Sequence, residues 1–166
     1  MATKVQIRKK DEILAALVET RRTILEEMSK LPEADRDRVF LGVWSVKDLL
    51  AHITGWDHAN LEAVRYVTAS QLPPFYNHYD RDWKTYNAML VAKYKLDSFD
   101  EMLAQARDSQ RQLIEFLKTV PPEAFNEDFG VRFRNVKVTI RRLLEADIKD
   151  VQTHHRQIVD FFKPGE

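Results

Sequence analysis

The residues best placed to do chemistry together are His52, Asp147, Asp150, His154 and His155. At about 100° of rotation per helical residue, His52 falls roughly 60° from the centre of a stripe set by Leu49, Ile53 and Trp56, at the edge of a buried arc. The same arithmetic near the C-terminus puts Asp147 and His154 on one margin of an apolar arc. Asp150 lies further out on that side, and His155 lies inside the arc toward its other side. Asp150 and His154 are four residues apart and converge on one helix face. A carboxylate is costly to bury unpaired, so Asp147 and Asp150 need a His, an Arg, water or a metal as partner. Two carboxylates and a His on one helix, facing a His from another, form a site for a divalent cation. Neutral imidazole suits Zn, Ni, Fe or Mn, and two imidazoles with one carboxylate leave positions open for water and substrate. The competing assignments are a hydrogen-bonded structural His52, a solvated or Arg-paired edge for Asp147 and Asp150 near Arg142 and Lys149, and a core histidine for His155. His58, six residues from His52, is expected on the far side of its helix and exposed.

The elements that would carry these residues are helices. Ile13, Leu17, Ile24, Met28 and Leu31 recur at helical spacing between about Lys10 and Leu31, where Pro32 closes the run. A loop from Pro32 to Trp44 follows. Ser45 with Asp48 then predicts a cap for a second helix reaching about Ala69, with Leu49, Ile53, Trp56, Ala63 and Val67 buried. Pro73 and Pro74 end that region, and FYNHYDRDW leads into a third helical segment with Trp83, Tyr86, Leu90 and Tyr94. Ser98 and Glu101 predict a full capping box for a helix from Phe99 to about Thr119, stopped by Pro121 and Pro122. The pieces on either side of Asp97 read as one long kinked helix or two. FGVRFRNVKV alternates as a short extended piece, and Thr139 opens a last helix to about Phe162. The pattern predicts an all-α, four-helix bundle, with an additional helical segment between the second and fourth principal helices, in a single domain over residues 1–166. Such bundles build their sites inside, from facing helices.

Lys plus Arg number 26 and Asp plus Glu number 26, so no net field draws the chain to nucleic acid or to an anionic membrane. No apolar run approaches the roughly 20 residues of a membrane span. The absence of cysteine excludes thiolate metal sites, disulfides and cysteine nucleophiles. MATKVQIRKK is basic but precedes an amphipathic segment rather than an apolar signal core, so a cytoplasmic location is expected.

The stretch WSVKDLLAHITGWD resembles the second-helix signature of the DinB-like four-helix bundle superfamily, in which a His follows an LL pair and precedes a G-W pair. DWKTYNAMLVAKYKLDSFDEMLAQARDSQRQLIEFLKTVPPEAF is similar to the corresponding part of the subgroup named after ClbS and DfsB. Together they cover most of the chain. The resemblance implies that His52 is one metal ligand and that two positions on the last helix supply the others, commonly for Ni or Zn. Setting THHRQI against the closing motif puts His154 at the final ligand position and Asp150 where the family carries a His. That departure implies either a two-His, one-carboxylate centre, with a shift toward harder ions such as Mn or Fe, or a site that has lost its metal. His155 is the alternative ligand.

A metal held there would yield a nucleophile at neutral pH, from water or from a low-molecular-weight thiol. Asp147 is the expected acid or base, with Tyr79 as a second candidate. Trp56, Asp80, Trp83, Asn87 and Arg134 are expected around the substrate, with Asp82 in the segment over the bundle mouth. Arg132, Arg134, Lys137, Arg141 and Arg142 would receive an anionic substrate or a carboxylated thiol. The resulting expectation is a metal-dependent hydrolase or thiol transferase acting on a small electrophilic or toxic compound, in stress or detoxification, as a homodimer. The alternatives are a metal-free ClbS-like protein protecting against a genotoxin, and a non-catalytic dimeric bundle.

Overall fold

The computed structural model describes residues 1–163, so residues 164–166 of the expected domain lie outside the described residues. Helix α1 spans Lys4–Ser29. It begins six residues before its apolar periodicity because Thr3 and Gln6 cap it reciprocally: the Gln6 N–H donates to Thr3 Oγ1 at 3.2 Å and the Thr3 N–H to Gln6 Oε1 at 2.8 Å. The expected loop after Pro32 contains a single helical turn, α2, Glu33–Arg36. Helix α3, Val46–Thr68, starts at the predicted cap, where the Ser45 N–H donates to Asp48 Oδ2 at 2.8 Å. Two 3₁₀ turns, Pro74–His78 and Arg81–Trp83, lead into α4, Lys84–Tyr94.

Extended backbone from Lys95 separates α4 from α5, Phe99–Thr119, so the two pieces around Asp97 are distinct helices. The box expected at Ser98 is only half formed: the Glu101 N–H donates to Ser98 Oγ at 3.3 Å, while the exposed Glu101 side chain stays in solvent. The alternating segment forms a two-stranded antiparallel ribbon, β1 Arg132–Phe133 and β2 Val136–Lys137, turned by Arg134 and Asn135 at positive φ. Helix α6 runs Ile140–Phe162 from a Thr139 cap.

The result is the all-α bundle, with α1, α3, α5 and α6 as principal helices and α4 added against α3. Helix α1 packs on α6, and α3 on α5. Two apolar clusters fill it. One gathers Leu25, Met28, Leu50, Met102, Val151 and Ile158, and the other gathers Leu17, Val64, Leu113, Phe125, Ile140 and Leu144. Each large side chain contributes about 1.5–3 kcal/mol by leaving water. Between them lies a polar layer, where Arg21 forks onto both Asp57 oxygens at 2.8 Å and Ser109 donates to Asp57 Oδ2 at 2.6 Å. No helix among the described residues is long and apolar enough to cross a membrane.

Candidate functional site

The antiparallel pairing of α3 and α6 sets one stripe of polar residues against another. His52, Trp56 and Asn60 occupy successive turns of α3, and Leu143, Ala146, Asp147 and Asp150 descend α6 in the opposite direction. Between them is a cavity of about 250 Å³, also walled by Phe75, Tyr76, Asp82, Trp83 and Asn87. Eight residues of α3 give it a length of roughly 12 Å, with the histidines at one end and Asn60 at the other.

At the histidine end, one nitrogen each from His52 and His154 and one oxygen of Asp150 lie within 4.8 Å of one another. His52 is 2% exposed and His154 8%, whereas the Asp150 side chain, at 48%, opens onto the cavity mouth. Asp150 Oδ2 lies 3.0 Å from His52 Nε2 and 3.3 Å from His154 Nε2. Those separations match neighbouring ligands on a cation with bonds of about 2.1 Å, which stand roughly 3.0–3.4 Å apart. His154 Nδ1 lies 2.7 Å from Gln157 Oε1, a bond that requires the proton on Nδ1 and turns the Nε2 lone pair toward Asp150. A lone pair facing a carboxylate needs a cation between them, either a second proton or a metal. The donor set therefore fits a divalent ion. The His52 ring is set against Trp44 at 4.9 Å between centroids, and its buried Nδ1 has no hydrogen-bond partner among the described residues.

The same geometry sorts the protonation states. Burial drives the His52 pKa down, against the hydrogen bond that its ring donates to Asp150. For His154, burial is outweighed by the hydrogen bond and charge of Asp150, and its pKa rises. Burial alone would raise Asp150, but the hydrogen bonds to His154 and His52 hold it well below the usual carboxylate range. Without a metal, the extra proton of the trio sits on His154. One turn away, burial and the charge of Asp57 push Asp147 up to about 7, with Arg21 opposing and Asp150 adding to the rise.

Of the residues expected from sequence, His52, Asp147, Asp150, Trp56, Trp83 and Asn87 line the cavity, and His154 closes its end. Trp56 Nε1–H donates to Asn87 Oδ1 at 2.9 Å. Tyr79, Asp80 and Arg134 are displaced from it. Asp80 caps α4 through the Thr85 N–H at 3.0 Å, and the Arg134 guanidinium stacks 4.3 Å over the Tyr79 ring on the β-ribbon. The other basic residues are also engaged: Arg132 and Lys137 with Asp128, Arg141 with Glu145, and Arg142 with the Lys137 carbonyl. No Lys or Arg lines the cavity. His155, half-buried, stands outside the trio. His58 is half-buried rather than exposed, because it stacks on Tyr94 at 5.0 Å.

Asn60, Phe75 and Tyr76 were not anticipated. Asn60 was detectable, since it interrupts the apolar stripe between Ile53 and Val67. The two aromatics lie in a non-repeating loop that offers no periodicity to read.

The profile of a protein family described as the DinB superfamily matches residues 11–158. No curated protein matches the chain in sequence. Among solved structures, it is similar to an uncharacterised protein from Escherichia coli UTI89, with a TM-score of 0.70 at 14% identity, over 93% of this chain and 92% of that one. That likeness is one of fold.

Proposed function

We propose that this chain, which belongs to the DinB superfamily, is a divalent-metal-dependent enzyme acting on a small electrophile. The observation that carries the proposal is the convergence of His52, Asp150 and His154 at one end of a cavity large enough for a substrate. These three side chains would hold the ion, with Gln157 keeping the His154 ring in the ligating tautomer. A bound Ni or Zn ion would supply a water or thiol nucleophile at neutral pH and polarise the group under attack.

The remaining chemistry belongs to side chains of this chain. Asp147, poised near neutral pH, takes a proton from the nucleophile or returns one to the leaving group. Trp56 and Trp83, 5.9 Å apart and edge to face, hold the substrate body and exclude water. Because no Lys or Arg among the described residues lines the cavity, the carboxylates of an acidic thiol cofactor find no permanently charged side chain there, which favours hydrolysis over thiol transfer. The test is turnover of p-nitrophenyl acetate by wild type before chelation, after chelation, and after Zn or Ni is restored. Activity that disappears and returns, and that is absent from His52→Ala, supports the proposal. Activity indifferent to chelation rejects it.

A second reading, a metal-free protective protein of the ClbS/DfsB-like subgroup, is favoured by one observation. Asp150 pairs with both imidazoles, so protons alone satisfy the trio.

A further inference from the structure

The cavity beyond the histidines is built for charge of one sign. Its walls are the rings of Trp56, Tyr76 and Trp83, and its polar groups are Asp82, Asp147 and the amides of Asn60 and Asn87. Asn60 is 2% exposed and borders the cavity. An amide on the cavity wall can take a water or a ligand in the cavity as its partner. Asn87 commits its oxygen to Trp56. The cation whose charge acts on Asp147 is Arg21, and both of its terminal nitrogens are already bound, to Asp57 and to the Ala106 carbonyl. Asp147 is thus a carboxylate on the wall of an aromatic cavity that shares the charge of Arg21 with Asp57, while Asp57 and Asp150 add negative potential around it.

We infer that the cavity takes a small organic cation, a protonated amine on an aromatic or other apolar body, with the ammonium between Asp147 and Asn60 and the body against Trp56, Tyr76 and Trp83. Each part of the wall then has a task. Aromatic faces attract a cation through their quadrupole and cover its apolar body. The Asp147 carboxylate and the Asn60 carbonyl accept the ammonium protons. Beyond the histidine end, an anion of the same shape would meet the Asp82 and Asp147 carboxylates and no Lys or Arg, a mismatch that disfavours it. The inference names the substrate class of the proposed reaction site and rests on that reading for the cavity being where substrate binds.

The test uses untagged, chelator-treated full-length protein at about pH 8, where carboxylates are ionised and simple amines protonated. Phenethylamine, 2-phenylethanol and 3-phenylpropionate are titrated in turn, with tryptophan fluorescence and calorimetry as readouts. The amine is expected to saturate the site and to bind at least about tenfold more tightly than the alcohol, with the acid weakest. Asp147→Asn is expected to lose that preference. An acid or alcohol that binds as well as the amine, an amine that never saturates, or an unchanged preference in Asp147→Asn overturns the inference. If Asp147→Asn does not fold, the comparison of the three ligands on wild type decides alone. Zinc uptake measured on the same samples separates the two readings. Amine selectivity without zinc leaves this inference standing and removes the metal, and zinc without amine selectivity does the reverse.

Discussion

Asp147 shows how one carboxyl can be set by what surrounds it. Its pKa is raised from 3.8 to about 7, so between those values the folded chain holds a proton that the unfolded chain has released. Its contribution to stability therefore falls as pH rises from about 4 to about 7. Asp147→Asn removes that penalty. Urea denaturation should find the variant more stable than wild type by on the order of 1–3 kcal/mol at pH 8 and about equal at pH 4. His154 makes the complementary prediction for metal. Its raised pKa means that an entering ion displaces a proton, so affinity should climb with pH by up to roughly tenfold per unit until His154 is neutral. Zn titrations at three pH values check this, and a flat profile would contradict it. At this scale residue type and spacing offered His52, Asp147, Asp150, His154 and His155 as candidates, and the resemblance to the DinB-like family singled out His52, Asp150 and His154. The placement of Tyr79, Asp80 and Arg134 was not readable, because it depends on how a loop and a ribbon turn.

Helix α3 is the element on which most of the site depends, and its register is held by a close contact with α4. A Cβ at Gly55 would stand 2.7 Å from Leu90 Cβ, with two further Leu90 carbons at 3.0 Å. Gly55→Ala therefore pushes α4 outward. The overpacking cost of about 1–3 kcal/mol exceeds the gain of up to about 1 kcal/mol from replacing a helical glycine. The displaced α4 carries Asn87, so the 2.9 Å bond to Trp56 should lengthen. The expected outcome is a lower Tm and shifted tryptophan emission, with zinc uptake unaffected because His52, Asp150 and His154 lie on α3 and α6. Helix positions were legible because the apolar stripes repeat at helical spacing and the caps at Ser45 and Thr139 are local. The early start of α1 was not, since its first turns expose apolar residues such as Val5 and Ile7. Nor was the break at Lys95, where no proline or glycine marks the change of backbone.

For the whole molecule, the polar layer between the two apolar clusters fixes how the helices meet. Arg21, Asp57 and Ser109 occupy the positions where the stripes of α1, α3 and α5 skip an apolar residue, between Leu17 and Ile24, between Ile53 and Val64, and between Ala106 and Leu113. Those gaps are visible in the sequence. That the three meet is not, because residues from three separate helices become neighbours only when the bundle closes. Asp57→Ala would leave the Arg21 guanidinium, 4% exposed, without its partner and should cost about 3–5 kcal/mol by denaturant melt. Breaking the exposed Arg111–Asp108 pair should leave the same melt almost unchanged, because solvent screens it. The bundle then presents His52 and His154 to Asp150 from two helices, and the account depends on that meeting. The most direct test is elemental analysis of untagged wild type, followed by Zn and Ni titration of wild type, His52→Ala and His154→Ala. Close to one equivalent of metal in wild type, lost in both variants while their folds persist, is the predicted result. A wild-type protein that takes up no metal at neutral pH, or variants that bind it unchanged, would contradict the metal centre.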